Sequence, residues 1–163
     1  MDLRILRYTG DGVAAPTDDV APPDGGWVWV DVRVDPDDRN ALRAIAEELG
    51  LDSLSVVDAI EDVDLPKVDD FGDQVLLVLH GLRDDAIATY EVDCFLQPGR
   101  LTTVRVAPSP SVDRLFRELQ RRPELARGGA DELAARLSDL LTRRLLAVVD
   151  AFDERVELSL IHI

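Results

Sequence analysis

Cysteine is nearly absent from this sequence, and long apolar runs are missing. Cys94 is the only cysteine among 163 residues, so the chain can form neither an intrachain disulfide nor a zinc site of several thiolates. A reducing, cytoplasmic compartment is the default expectation for such a chain. No apolar run reaches the roughly 20 residues of a membrane helix, and the N-terminus lacks the apolar core of a signal peptide. We therefore expect a soluble chain, or the soluble part of a larger protein.

Basic residues are also few. The 18 lysines and arginines stand against 33 aspartates and glutamates, which gives a formal net charge of −15. Nucleic acids and anionic membrane surfaces are bound through basic patches, so both are excluded as expected partners. Composition leaves several explanations of the acidity open: solubility, a salt-adapted host with an acidic proteome, or an affinity for divalent cations.

Signatures of catalysis are missing as well. The sequence contains no Gly-rich phosphate loop, no Gly-x-Ser-x-Gly elbow and no His-Glu-x-x-His pair. The two histidines, His80 and His162, have no neighbours in sequence that would make them bases or ligands, and Cys94 lies in an apolar strand. We expect no enzyme and assign no catalytic residues.

What the sequence does contain is an alternation of strand and helix patterns. Strands are expected at 3–8, 27–31, 67–71, 75–79, 89–97 and 101–106, and helices after the capping residues Asp35, Asp52 and Ser109 and from about Asp131. Residues 9–26 and 81–85 read as loops, and 75–79 reads as a central strand because it is apolar on both faces. In the long last helix, apolar residues recur at spacings of three and four.

These elements predict an α/β fold, an αβα sandwich around a mixed, largely antiparallel sheet that is followed by a long C-terminal helix. We divide the chain into an α/β domain at 1–129, a long helix at 130–158, and a tail at 159–163. The tail lacks the alternating charged residues that precede it, which is what we expect of a sequence truncated within a helix or strand.

The stretch from Asp52 to Gly72 carries the densest acidic pattern. Asp52 is placed to cap a short helix, in which Leu54, Val57 and Ile60 would face a core. Three carboxylates at helical spacing then share another face of that helix: Asp58, Glu61 and Asp62. Like charges so spaced repel each other, and either solvent with salt or a divalent cation can relieve them.

Spacing alone does not complete a metal site here. An EF-hand needs oxygen ligands at alternating positions, a central glycine and a terminal glutamate within one loop. Neither 62–64 nor 69–73 has that pattern. What remains is a carboxylate surface suited to a hard ion such as Mg²⁺, which keeps part of its hydration shell.

Several segments together resemble the cytoplasmic domain of CorA-type magnesium transporters. They are Val-Val-Asp-Ala-Ile-Glu-Asp at 56–62, Leu-Pro-Lys-Val-Asp-Asp-Phe-Gly-Asp at 65–73, Val-Leu-Leu-Val-Leu at 75–79, Trp-Val-Trp-Val-Asp at 27–31, Glu-Val-Asp-Cys-Phe-Leu at 91–96 and the helix at 133–158. Their order and spacing follow that family over nearly the whole chain.

The resemblance implies a regulatory domain of a divalent-cation channel. Family members carry a long stalk helix, towards which the helix at 130–158 would lead, and then two membrane helices with Gly-Met-Asn at the end of the first. They assemble as homopentamers. Mg²⁺ bound between neighbouring cytoplasmic domains holds the pore closed, and Co²⁺, Ni²⁺ or Zn²⁺ are alternative ions. By this resemblance Asp58 belongs to the sensing site and Asp139 to a second regulatory site, on the cytoplasmic side of the membrane.

Two features depart from the family pattern. Val57 replaces a second carboxylate, and Arg143 with Arg144 occupies a region that is often more acidic. The membrane motif lies outside this sequence. The alternative function is a stand-alone acidic domain that binds other proteins and has no part in transport.

Overall fold

The computed structural model describes residues 1–12, 14–35, 39–52, 55–56, 59, 65–83 and 88–160. In this part of the chain the strands are β1 (Asp2–Tyr8), β2 (Ala14–Pro16), β3 (Trp27–Arg33), β4 (Lys67–Asp70), β5 (Val75–Leu82), β6 (Thr89–Gln97) and β7 (Arg100–Arg105). The helices are α1 (Arg39–Leu49), α2 (Pro110–Arg121) and α3 (Ala130–Leu160), with a 3-10 turn at Pro123–Ala126.

The strands form one mixed sheet in the order β2-β1-β3-β7-β6-β5-β4. Strands β3 and β7 pair in parallel, and each of the other neighbouring pairs is antiparallel. The predicted mixed, largely antiparallel sheet is therefore confirmed. The parallel pair brings the carboxyl ends of β3 and β7 to the same edge of the sheet.

Helices cover both faces of the sheet and create two cores. The α1-side core contains Val28, Val30, Val32, Leu42, Ile45, Leu49, Leu76, Val78, Phe95 and Val104. The α2/α3-side core contains Leu6, Trp27, Trp29, Val92, Cys94, Leu101, Leu115, Leu119, Leu133 and Leu137. Strands buried on both faces contain apolar residues without a break, which is why 27–30 and 75–79 lack polar alternation.

Both tryptophans of β3 point to the α2/α3 side, as the two-residue period of a strand predicts. Each ring is fully buried and each indole nitrogen has a partner. Trp27 Nε1 donates to Ala126 O at 2.7 Å, and Trp29 Nε1 donates to Thr103 Oγ1 at 3.1 Å. These bonds satisfy the polar atoms that burial of tryptophan would otherwise leave unpaired.

Capping residues fix the predicted helix ends. Ser109 Oγ accepts from Val112 N at 3.3 Å and so caps α2, with Pro110 at the first helical position. Gly50 ends α1 with a φ of 61°, the left-handed conformation that glycine adopts readily. The expected Pro36 start of α1 lies outside the described residues.

The long helix α3 changes character along its length. Leu133, Leu137 and Leu141 are at most 1 % exposed. Leu146 and Val149, by contrast, are 56 % and 53 % exposed. The first half therefore packs on the sheet, and the second half carries apolar side chains that nothing in the described part of the chain covers.

Three details of the predicted fold are wrong. Residues 14–16 form β2 inside the expected 9–26 loop, paired with β1. Strand β5 continues through Gly81 to Leu82 instead of ending before a loop at 81. It is also the last strand but one, not a central strand, because β4 pairs outside it.

Candidate functional site

The acidic helix begins as predicted. Ser55 N donates to Asp52 Oδ1 at 3.1 Å, and Val56 N donates to Asp52 O at 3.0 Å, so Asp52 is the N-cap. The amide of Asp52 donates in turn to Gln74 Oε1 at 3.1 Å. Because Gln74 directly precedes β5, this bond connects the start of the helix to the sheet. Val56 packs in the α1-side core.

The predicted sensing carboxylates lie beyond this anchored start. Asp58, Glu61 and Asp62 fall outside the described residues, as do the expected core residues Leu54, Val57 and Ile60. Their assignment as metal ligands therefore remains a prediction from the sequence.

The two carboxylates at the end of β4 have partners close to them in sequence. Asp69 pairs with Lys67 Nζ at 3.3 Å, and Asp70 Oδ1 accepts from the amide of Gly72 at 2.8 Å. Gly72 has a φ of 92°, which is favourable only for glycine in this turn. These two aspartates thus have local structural partners.

Asp139 lies on the exposed side of α3 and pairs with the arginine one turn later. Arg143 Nε lies 2.8 Å from Asp139 Oδ1 and 2.7 Å from Oδ2. The side chains of Asp139 and Arg143 are 56 % and 73 % exposed. A cation at Asp139 would have to compete with Arg143, although an exposed pair of this kind contributes only about 0–1 kcal/mol.

In the described ranges no group of three or more histidine, cysteine, aspartate or glutamate side chains is arranged to hold a metal ion. His80 Nε2 lies 3.7 Å from Glu91 Oε2 across the β5–β6 pair, and both side chains are largely buried. Asp139 contributes a single carboxylate. A metal site built on it needs oxygen ligands from elsewhere.

The strongest polar cluster was not predicted. It joins strands β1, β3 and β7 to helix α2, and we call it the Asp31 network. Its members are Arg4, Asp31, Thr103, Arg105 and Asp113. Asp31 is 1 % exposed.

Hydrogen bonds surround the Asp31 carboxylate. Arg105 donates from Nε to Oδ1 at 3.1 Å and from Nη2 to Oδ2 at 2.9 Å, a two-point contact. Arg4 donates to Oδ2 from Nε at 3.0 Å and from Nη2 at 2.5 Å, while Thr103 Oγ1 donates to Oδ1 at 2.8 Å. Arg4 also reaches Asp113 Oδ1 at 2.8 Å, which links β1 and β3 to α2.

These contacts decide the charge of the network. Burial pushes the pKa of Asp31 upward, but the hydrogen bonds and charges of Arg105 and Arg4 outweigh it and hold that pKa below its usual value. Burial likewise lowers the pKa of Arg4, whereas Asp31 and Asp113 raise it further, above its usual value. The Asp31 carboxylate is therefore ionised at neutral pH, and Arg4 beside it stays protonated.

One signal in the sequence could have revealed this network. Asp31 follows Trp27 and Trp29 at the two-residue period of β3, so it had to point into the same core as the two rings. A carboxylate in that position requires buried partners. The partners themselves come from strand β7, strand β1 and helix α2, far along the chain.

Comparison with known proteins now identifies the fold. A family model described as CorA-like Mg2+ transporter protein matches residues 24–159. This chain belongs to that family. Among its relatives is YfjQ of Bacillus subtilis (strain 168), a protein assigned as a metal ion transporter, which is 23 % identical over 141 residues. That alignment covers 86 % of this chain and 44 % of YfjQ.

Two solved structures share the fold of this chain. The complete CorA magnesium transporter of Methanocaldococcus jannaschii superimposes with a TM-score of 0.75 at 15 % identity, over 96 % of this chain and 49 % of that chain. The ZntB cytoplasmic domain of Vibrio parahaemolyticus RIMD 2210633 superimposes with a TM-score of 0.74 at 16 % identity, over 94 % of this chain and 64 % of that chain. The predicted αβα sandwich with a C-terminal helix is thus confirmed.

The CorA-like chain spans about half the length of these full-length relatives. Among the residues that the structure describes, no helix combines the length and the apolar character needed to cross a membrane.

Proposed function

We propose that this CorA-like chain is the cytoplasmic, Mg²⁺-sensing domain of a divalent-cation channel, and that it gates the pore of a homopentamer. The observation that carries most weight is the family match over residues 24–159, together with a fold likeness over 94–96 % of the chain. We propose Mg²⁺ as the regulatory ion, with Co²⁺, Ni²⁺ or Zn²⁺ as alternatives. The role is ion sensing and not catalysis.

The proposed mechanism is a linkage between ion binding and subunit arrangement. Asp58 supplies the principal carboxylate, and Glu61 and Asp62, which the sequence spacing predicts to share its face, add negative charge. A cation shared with a carboxylate of the neighbouring subunit stabilises the closed arrangement, because it binds that arrangement more tightly than the open one. When the ion leaves, acidic faces of chains that each carry a net charge of −15 repel each other.

The second half of α3 supports an assembly of this kind. Leu146, Val149, Phe152 and Val156 are between 40 % and 56 % exposed, and they recur at spacings of three and four. A contiguous apolar helix face of this kind is typical of a surface that another helix covers. We propose that the same face of a neighbouring copy packs against it in the homopentamer.

Asp139 is a weaker candidate ligand for the ion than Asp58. Its carboxylate already has Arg143 as a partner at 2.7–2.8 Å. We propose that a second regulatory site built on Asp139 forms only when another ligand displaces Arg143, and that the site at Asp58 dominates the response.

Limited proteolysis of the complete channel protein tests the sensing role. Mg²⁺ should protect the wild-type protein with a saturating dose response, because the ion favours the closed assembly. Asp58→Asn should shift half-protection to a higher Mg²⁺ concentration. Asp24→Asn removes an equal charge from an exposed position in the loop before β3, and we expect it to match the wild type. An Asp58→Asn protection curve that superimposes on the wild-type curve would show that Asp58 does not take part in Mg²⁺ sensing.

Calorimetry on the 163-residue chain provides a second test. We expect weak Mg²⁺ binding or none, because the neighbour's carboxylate is missing. A tight, one-to-one site in the monomer would contradict a site shared between subunits. The alternative, a stand-alone interaction domain, predicts a gene without the two membrane helices and the Gly-Met-Asn sequence that we expect after residue 163.

A further inference from the structure

The sheet ends in an open edge at strand β4. Because β4 is the last strand in the sheet order, no strand in the described part of the chain pairs with its outer side. Two exposed apolar side chains belong to this edge, since Leu65 is 83 % exposed and Val68 is 68 % exposed. Both exceed the exposed fractions of the apolar residues in the second half of α3. An edge of this kind is a surface to which another strand can add.

The register of β4 on β5 shows which backbone groups face outward. Phe71 N donates to Gln74 O at 2.9 Å, so these two residues form a hydrogen-bonded pair beside the turn. The register continues from there without a bulge, and hydrogen-bonded and non-hydrogen-bonded pairs alternate along an antiparallel ladder. The N–H and C=O groups of Val68 and Asp70 therefore point away from β5. The edge offers two donors and two acceptors to an added strand.

The charges on this edge fit a second copy of the same strand. Charged side chains commonly protect an edge strand, and β4 carries Lys67, Asp69 and Asp70. In an antiparallel pairing centred on Val68, Lys67 of each copy lies directly opposite Asp69 of the other copy. Lys67 Nζ also lies 3.3 Å from Asp69 Oδ2 of its own strand. The two lysines and two aspartates would thus alternate in sign on one face.

Other alignments of two copies bring like charges together. An antiparallel pairing centred on Asp69 places this carboxylate opposite its own copy, and an in-register parallel pairing places each charge beside the same charge. Like charges directly opposite each other destabilise a strand pair, whereas opposite charges stabilise it. In the favoured register the two Val68 residues would exchange two hydrogen bonds, and Asp70 N–H of each copy would face Pro66 C=O of the other.

We propose that two copies of this chain associate through β4, as an antiparallel pair centred on Val68 that continues the sheet from one copy into the other. So short a strand buries much less than the roughly 1,200 Å² of a stable interface, so the contact is weak. It is separate from the apolar face of α3. It is also isologous and cannot close a five-membered ring, so, if the proposed homopentamer forms, this contact joins two assemblies.

Amide hydrogen exchange of the 163-residue chain, followed by NMR in EDTA, tests the contact. The protein concentration is raised from about 50 μM to about 1 mM, a range suited to a weak association, at about 0.15 M salt so that repulsion between the acidic chains is screened beyond about 8 Å. We expect exchange at the amides of Val68 and Asp70 to slow several-fold as the concentration rises. Exchange that does not depend on concentration would overturn the proposal, and slow exchange in a monomeric chain would show that the edge is already covered.

A proline substitution tests the role of the backbone. Val68→Pro removes the outward N–H, and proline is tolerated on an edge strand where that group faces solvent. The variant should keep a nearly unchanged melting temperature and lose the concentration dependence at Asp70. Val68→Thr keeps the N–H and should behave as the wild type does. Equal self-association of Val68→Pro and Val68→Thr would exclude strand pairing.

A charge exchange tests the register. Lys67→Asp and Asp69→Lys each place like charges opposite each other in a pair of identical copies, and each alone should self-associate about tenfold more weakly. An equal mixture of the two variants restores both opposite-charge pairs and should associate within about threefold of the wild type. A mixture that stays as weak as its components would contradict this register. Because EDTA is present throughout, these results are independent of Mg²⁺ sensing.

Discussion

Replacing Asp31 by asparagine should destabilise the chain strongly. The asparagine side chain fits the same space but removes the charge that two arginines share, and Arg105 is only 3 % exposed at its side chain. Breaking a buried ion pair by removing one partner costs about 3–5 kcal/mol. For Asp31→Asn we expect the free energy of unfolding to fall by about 3 kcal/mol, the lower end of that range. The amide oxygen of asparagine still accepts a hydrogen bond from Thr103 or an arginine. For a domain of this size such a loss lowers the melting temperature by roughly 10 °C.

Urea denaturation followed by tryptophan fluorescence measures this change, since Trp27 and Trp29 lie in the adjoining core. Asp113→Asn is the matched control within the same network. Asp113 is 42 % exposed, so its loss should cost less than about 1 kcal/mol. A loss below about 1 kcal/mol for Asp31→Asn, or equal losses for the two variants, would refute a buried, charge-dependent network.

The same network predicts a pH dependence. The pKa of Asp31 in the folded chain lies below its value of about 3.9 in the unfolded chain. Its contribution is therefore present above about pH 3.9 and is lost as the pH falls through the lower folded pKa. The stability difference between wild type and Asp31→Asn should accordingly be constant near neutral pH and shrink below about pH 4. A difference that grows on acidification would contradict the assigned ionisation.

Three further outcomes are expected from burial and capping. Leu137→Ala should lower the free energy of unfolding by about 2–5 kcal/mol in urea denaturation. Leu146→Ala on the same helix should lower it by almost nothing in the monomer, because Leu137 is 0 % and Leu146 56 % exposed. Similar losses for the two variants would show that the second half of α3 is packed as tightly as the first. Ser109→Ala should cost about 1–2 kcal/mol, since it removes both the cap of α2 and the 2.9 Å bond to Tyr90, and a neutral result would exclude that cap. Cys94 should not react with a thiol reagent at pH 8 until the chain unfolds, because burial raises the pKa of its thiol; fast modification of the native chain would show that the strand opens.

The fold was largely predictable because its signals are local. The two-residue period in β3 and β6 and the caps at Asp52 and Ser109 all act within a few residues of the chain. Strand β2 was missed because Ala-Ala-Pro has no strand preference of its own. It forms because β1 offers an edge, with Leu6 opposite Pro16.

The polar sites were less predictable because they depend on partners distant in sequence. Asp31 meets Arg105 74 residues later in the chain, and only the parallel register of β3 and β7, Asp31 opposite Thr103 and Arg33 opposite Arg105, brings them together. The acidic helix differs from the Asp31 network, because its proposed partners lie in another subunit. Spacing shows which carboxylates share a face, but a site completed by a neighbouring subunit requires residues that one chain does not contain.

The most direct test of the sensing role is Mg²⁺ flux through the complete channel in proteoliposomes, measured against Mg²⁺ on the cytoplasmic side. We expect wild-type flux to fall as cytoplasmic Mg²⁺ rises. Asp58→Asn should require a higher concentration for half-inhibition, and Asp24→Asn should not. Identical inhibition curves for Asp58→Asn and the wild type would contradict the proposal that this chain senses Mg²⁺ through its acidic helix.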